Sequence, residues 1–240
     1  MSIIYEPRGK AREYCELAVN LYHGCDHGCK YCYAPAATYK TREEFLNVRH
    51  RPGIIEQIRK EAPAHNGREV LLCFTCDPYS GFAAGTGTTR KAIEALHDGG
   101  VNVAILTKGG ERSVKDFAFL KASDKYGATL TFLSDADSKE WEPGAALPVE
   151  RIAALKQAKA SGITTWASFE PVIDPEQTLK LIEMTFRIVD IYKIGKWNHD
   201  VRAKEIDWRA FAERAKSLLE SMGVKYMLKK DLAAYLDEAA

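Results

Sequence analysis

Between Asn20 and Tyr33 the chain reads N-L-Y-H-G-C-D-H-G-C-K-Y-C-Y, which sets Cys25, Cys29 and Cys32 at the spacing C-x3-C-x2-C. Three thiols on so short a loop can face one side of a cubane. Gly24 and Gly28 supply the positive φ angles that such a wrap needs. Thiolates are the usual ligands of iron–sulfur clusters, and a [4Fe–4S] cube has four irons. Three local ligands leave one iron for something other than protein. A zinc site lacking its fourth ligand competes for the same residues, but zinc takes four ligands, usually from paired C-x2-C elements. His23 and His27, in or beside the loop, suit loop-stabilising hydrogen bonds better than ligation.

With an aromatic before its last cysteine, the motif resembles the signature of the radical S-adenosylmethionine (radical SAM) enzymes. The fuller string N-x-Y-x-G-C-x-H-G-C-x-Y-C-Y-A resembles the branch that contains spore photoproduct lyase. The resemblance implies a [4Fe–4S] cluster on Cys25, Cys29 and Cys32, with SAM chelated to the open iron. One-electron reduction then yields a 5′-deoxyadenosyl radical that abstracts hydrogen from a substrate. It also implies an electron donor such as flavodoxin or ferredoxin. Tyr31 and Tyr33 match the branch's tyrosine relay. Its hydrogen-donating cysteine does not recur: Phe74 stands at the donor position and Cys76 at the position of the SAM-contacting serine. Lyase activity on DNA is therefore the alternative rather than the first reading. An iron–sulfur electron carrier that leaves SAM intact is a third reading, of a different class.

A site of this kind has to be held by a scaffold. Apolar, β-branched runs at 17–21, 70–74, 101–107, 128–133, 163–169, 188–194 and 224–227 read as strands. Amphipathic stretches at 33–39, 53–61, 88–98, 113–122, 148–161, 175–187, 207–222 and 231–238 read as helices. Such alternation predicts parallel strands with right-handed crossovers. Six strand–helix units are too few to close an eightfold barrel. The expected fold is α/β, a partial (β/α)6 TIM-like barrel in a single domain, 1–240. Its cluster loop is 24–33, and a short C-terminal strand and helix occupy 224–238.

Barrels of this kind keep their chemistry at the C-terminal strand ends. There stand Thr75, Cys76 and Asp77, in T-C-D-P-Y, which resembles the branch's counterpart of a SAM-amine motif. Lys108, in T-K-G, is placed by the resemblance against the SAM carboxylate. Ser134 and Asp135 suit the SAM ribose and equally suit helix capping. Glu142-Pro143 resembles an E-P element of the family with no derived role. Glu170, Lys193, Lys196 and Trp197 flank the same mouth. Cys76 is the candidate hydrogen donor, together with Tyr31 and Tyr33. Cys73 and Cys76 make a C-x2-C pair whose side chains would face opposite ways on a strand. Cys15 reads as a small buried hydrophobe.

Composition narrows the partners. Lys plus Arg (34) nearly balance Asp plus Glu (33), so net charge favours neither a nucleic-acid nor a membrane partner. Six cysteines in 240 residues do not make a disulfide scaffold and point to a reducing cytoplasm. No apolar run reaches the roughly 20 residues of a membrane span. Basic groups at Lys40–Arg42, Arg49–Arg51 and Lys229-Lys230 are interrupted by acids. A small molecule, a peptide or a short nucleotide segment fits such a rim better than long duplex DNA.

Overall fold

The computed structural model describes residues 2–237. Its strands are β1 (Leu17–Val19), β2 (Tyr22–His23), β3 (Arg49–His50), β4 (Glu69–Leu72), β5 (Asn102–Thr107), β6 (Lys125–Thr129), β7 (Thr164–Val172), β8 (Ile191–Lys196) and β9 (Lys225–Leu228). Seven of them form one sheet in the order β1-β4-β5-β6-β7-β8-β9, every pair parallel. The remaining two, β2 and β3, make a small antiparallel ribbon. Parallel sheets need cover on both faces, and Val70, Leu71 and Leu72 are accordingly fully buried.

Helices fill the crossovers: α1 (Ala34–Ala37), α2 (Arg42–Leu46), α3 (Ile54–Glu61), α4 (Gly81–Thr86), α5 (Thr88–Asp98), α6 (Asp135–Trp141), α7 (Pro148–Ala160), α8 (Pro175–Thr185), α9 (Trp208–Ser221) and α10 (Lys230–Asp237). Their starts follow local chemistry. Asp174 accepts hydrogen bonds from the backbone of Glu176 and Gln177 ahead of Pro175 in the first turn of α8, and Asp207 caps α9 through Ala210. Each helix then turns its apolar stripe inward, as α5 does with Ala92, Ile93, Ala95 and Leu96. The expected α10 end at Glu238 lies outside the described residues.

The sheet curls. Ala18 of β1, Leu71 of β4, Ala104 of β5 and Trp166 of β7 belong to one interior cluster with Cys15. Gly127 of β6 makes room for it, because a Cβ there would lie 2.4 Å from the Trp166 ring. Closure stops short of a full barrel, since β9 does not pair with β1. The segment 5–14 lies across that seam. Tyr5 exchanges backbone hydrogen bonds with Ala18 on the free edge of β1. The Tyr14 hydroxyl reaches Ser168 and Glu170 of β7 at 2.7 and 2.5 Å. Lys193 of β8 donates to the Tyr14 carbonyl at 2.6 Å, and Lys10 pairs with Asp231 of α10 at 2.5 Å.

Several expected boundaries are corrected. The stretch 113–122 belongs to a 3-10 segment, Gly110–Phe119, rather than to an α-helix. The strand expected at 128–133 runs at Lys125–Thr129, and 188–194 becomes Ile191–Lys196. Most consequential is β4, which ends at Leu72. Cys73 then takes a left-handed φ of 72° and the chain bends at 74–76. Cys76 consequently lies on that bend, beyond the strand end, so the alternation of strand faces no longer sets the Cys73 and Cys76 thiols apart.

Candidate active site

The cluster loop leaves β2 and enters α1 across the C-terminal mouth of the sheet. Gly24 turns it with φ 85°, and a Cβ there would lie 2.4 Å from the Phe45 carbonyl oxygen. The turn therefore needs glycine. Backbone bonds then pin the loop: Cys25 N–H donates to Phe45 O at 2.9 Å, Lys30 N–H to Trp141 O at 2.8 Å and Cys32 N–H to Cys29 O at 3.1 Å. The Arg42 guanidinium clamps Cys29 O at 3.0 Å and Lys30 O at 2.6 Å.

All three thiols are free of disulfides. Burial pushes the Cys25 thiol well up and the Cys29 thiol to about 12, with Lys108 pulling Cys29 the other way. Such thiols become thiolates when a metal's positive charge replaces the proton. Three soft donors on a pinned, glycine-turned loop fit an iron–sulfur cluster. Among the described residues, no three His, Cys, Asp or Glu side chains converge as they would around a single metal ion.

Around this loop the strand ends take distinct parts. Asn20, just after β1, accepts from the backbone N–H groups of Phe74 and Thr75 at 2.8 and 2.9 Å. It thereby fixes the bend that carries Thr75 and Cys76, both partly exposed. Asp77 is a staple. Its carboxylate accepts from Tyr79 N–H (2.8 Å), Thr107 Oγ1 (2.6 Å) and Lys108 N–H (2.8 Å), and His27 Nδ1 faces it at 3.5 Å. Burial lowers the pKa of His27 to about 4, so the ring is neutral at pH 7.

Lys108 stands at the end of β5 with Nζ 5.5 Å from the Tyr31 ring centre. Burial alone would lower its pKa, but the neighbouring Cys29 with the Glu142 and Asp77 carboxylates outweighs it and holds the ammonium above its ordinary value. The Tyr31 hydroxyl donates to Glu142 and meets Thr131 Oγ1 at 3.1 Å. Burial and the adjacent Glu142 carboxylate push the Tyr31 phenol well up. Arg151 of α7, almost wholly buried, holds Glu142 from behind at 2.5 Å. Tyr33, half-exposed, donates to Phe74 O at 3.3 Å.

Cys25, Cys29, Cys32, Tyr31, Asp77 and Lys108 are thus brought together, with Cys76 beside Cys25 and Tyr33. The Ser134 hydroxyl is taken up in capping α6 through Asp137 N–H, and Asp135 lies exposed on the first turn. Glu170 is held by Tyr14 and Lys229. Sequence reasoning missed Arg151 and gave Glu142 no role. A lone acid before Pro143 and an arginine in the first turn of a helix offered no sign of their pairing.

The sequence profile described as the radical SAM superfamily matches residues 19–189. The chain belongs to the radical SAM superfamily. Its cofactors are those of the family, a [4Fe–4S] cluster and S-adenosylmethionine. The chain is similar to Uncharacterized protein MJ0683 of Methanocaldococcus jannaschii, 26% identical over 165 residues. That match spans 66% of this chain and 61% of the relative, less than two thirds of its length. Among solved structures, spore photoproduct lyase complexed with dinucleoside spore photoproduct aligns with a TM-score of 0.71. The identity is 15%, and 93% of this chain and 79% of that one are covered. Streptococcus suis SuiB bound to S-adenosylmethionine aligns at 0.66 with 14% identity, covering 93% of this chain and 52% of that one. Identities this low establish a common fold, a TIM-like α/β core. No helix among the described residues is long and apolar enough to cross a membrane.

Proposed function

We propose that Cys25, Cys29 and Cys32 hold the cluster and that the chain uses it to start hydrogen abstraction from a small or short-segment substrate. When bound, the cluster and SAM supply one-electron cleavage of a sulfonium to methionine and a 5′-deoxyadenosyl radical. The observation that carries this reading is the position of Lys108. Its ammonium stays charged beside Cys29 and over Tyr31, where a ligand carboxylate next to the open iron would meet it. Lysine suits that task as a compact point charge.

The other residues position and bind. Asp77, which follows the Thr75–Cys76 bend and accepts from Thr107 and Lys108 at the end of β5, sets the spacing between that bend and Lys108. Thr75 offers its side chain at the SAM amine. Beyond β6, Ser134 is committed to the cap of α6, which leaves Asp135 for the ribose. Cys76 is a thiol donor of hydrogen to the substrate radical, with Tyr31 and Tyr33 to either side of Cys32. A DNA lyase is the second reading, supported by the likeness to spore photoproduct lyase complexed with dinucleoside spore photoproduct. Phe74 at the donor position weighs against it. The deciding experiment follows 5′-deoxyadenosine in anaerobic, reduced, reconstituted protein. Formation at more than one equivalent per chain is expected. A cluster-loaded protein that leaves SAM intact would be an electron carrier instead.

A further inference from the structure

Successive residues of β7 point to opposite faces of the sheet. Ala167 and Phe169 belong to the main core that the helices cover, whereas Trp166 belongs to the interior cluster. Ser168 and Glu170 share the face of Trp166, and the Tyr14 hydroxyl touches both, at 2.7 and 2.5 Å. Glu170 is the last of the three, near the C-terminal end of its strand. It therefore stands at the end of the sheet where barrels of this kind do their chemistry.

The Glu170 carboxylate is held by one oxygen only. Its Oε2 accepts from the Tyr14 hydroxyl and from the Lys229 ammonium, the latter at 2.6 Å. Lys229, directly after β9, lies over the Tyr14 ring, 4.4 Å from its centre. The other oxygen, Oε1, is neither hydrogen-bonded among the described residues nor sealed from solvent. It rests against β8 at Gly195, where a Cβ would lie 2.9 Å from it. Of this ion pair only the acid is reachable: 17% of the Glu170 side chain is exposed, against 2% for Lys229. Lys193 is committed to the carbonyls of Tyr14 and Glu13 at 2.6 and 3.3 Å. Trp166 Nε1 also lacks a partner, but it is buried over Gly127. The open valence of the group is thus a carboxylate oxygen, an acceptor.

We propose that Glu170 is the residue by which this mouth selects its substrate, and that the substrate offers it a neutral N–H or O–H donor, as an amide or an alcohol does. The proposal rests on the reading of this mouth as the place of hydrogen abstraction. Charge narrows the choice. Lys229 balances the carboxylate from below, which removes the pull on a cation, while an anionic group would meet Glu170 first and be repelled. A donor meeting an ionised acceptor makes a stronger bond than two neutral partners do. The hold on Oε2 also fixes the carboxylate before a ligand arrives, so little order is lost on binding. Aromatic rings stand beside it. Tyr14 and Phe74 meet edge to face, ring centres 6.1 Å apart, and half-exposed Tyr33 donates to Phe74 O from the cluster-loop side. A flat apolar body carrying one donor suits such walls, since ligand sites combine apolar lining with a few placed polar groups.

The test compares benzamide with benzoate, which share a shape and differ in presenting an N–H donor or an anion. Both are titrated by ligand-observed NMR into reconstituted, unreduced protein with SAM present. Two variants remove the acceptor in different ways. Glu170→Leu with Lys229→Met deletes the pair without stranding a buried charge, and Gly195→Ala keeps the pair but crowds Oε1. Benzamide should bind the wild type, with benzoate about tenfold weaker. Each variant should lose about tenfold in benzamide affinity, the worth of one bond to a charged group, with SAM affinity unchanged. Should the double variant not fold, Gly195→Ala decides alone. The proposal is overturned by benzoate binding as tightly as benzamide, by no binding of benzamide to the wild type, or by an unchanged benzamide affinity in either folded variant. A parallel loss of SAM affinity would make Glu170 part of the cofactor site and overturn it too. Turnover does not enter the measurement, so a protein that selects benzamide but leaves SAM intact on reduction refutes hydrogen abstraction and not the Glu170 contact.

Discussion

The Glu142 carboxylate and the Arg151 guanidinium meet at 2.5 Å with neither side chain more than 1% exposed. Burial alone would raise the Glu142 pKa, but Arg151 and Lys108 keep it below the usual carboxylate range. Removing one partner strands the other's charge, which costs about 3–5 kcal/mol. Glu142→Ala should lose that much in anaerobic urea unfolding. Glu142→Leu combined with Arg151→Met should lose less than Glu142→Ala alone. A Glu142→Ala protein as stable as wild type contradicts the arrangement.

Anaerobic reconstitution should load about four irons per chain. Replacing Cys25, Cys29 or Cys32 by Ala should abolish the cluster absorbance. The triple replacement of Cys15, Cys73 and Cys76 by Ala should keep it. Loss of iron in that triple variant would show the ligand assignment to be wrong.

Lys108→Ala should weaken SAM binding about ten- to a hundredfold, the worth of one hydrogen bond to a charged group, with iron content unchanged. Isothermal titration of the loaded protein reads the affinity directly. An unaltered affinity places the SAM carboxylate elsewhere.

For Cys76→Ala, deoxyadenosine formation should persist while the partitioning of the substrate radical among products shifts. Following the two separately by chromatography distinguishes a hydrogen donor from a residue that makes room for SAM. Wild-type values of both would reduce Cys76 to packing.

Stability should carry a signature of Asp124, which is fully buried. Its carboxylate accepts from Val103 N–H at 2.7 Å and Lys121 N–H at 2.7 Å, and pairs with His97 at 2.9 Å. Burial would raise its pKa, but these bonds win and hold it below 3.8. A depressed carboxylate stabilises the fold above its unfolded pKa, and that stabilisation is lost as pH falls through the folded value. Asp124→Asn should therefore cost about 2 kcal/mol at pH 7, with the deficit shrinking below pH 3.8. A deficit constant down to pH 2 would exclude the charge as its cause.

What could be read from the sequence was local. The cysteine loop declared itself because its ligand spacing and its glycines are contiguous, and the barrel did so because each strand–helix unit carries its own period. The pairing of Glu142 with Arg151 was not legible, since nothing in the sequence shows that both are buried beneath Tyr31. Nor was the end of β4: Leu72, Cys73 and Phe74 read as one apolar run. The left-handed turn at Cys73 is set by Asn20 gripping the backbone of Phe74 and Thr75. At Ser134 a single hydroxyl fitted two tasks, and the structure engages it in the cap.

The strap across the seam bears on the order of events during synthesis. Lys10, Glu13 and Tyr14 are made long before their partners, which are Lys193, Lys229, Lys230 and Asp231. Contacts of such long sequence separation form late, and these wait until Asp231 has left the ribosome. The cluster loop and its clamp, Arg42, are made well before those partners. A nascent chain thus presents its three thiols while the wall opposite is still missing, and under the proposed ligand assignment that interval offers iron and sulfide the widest opening.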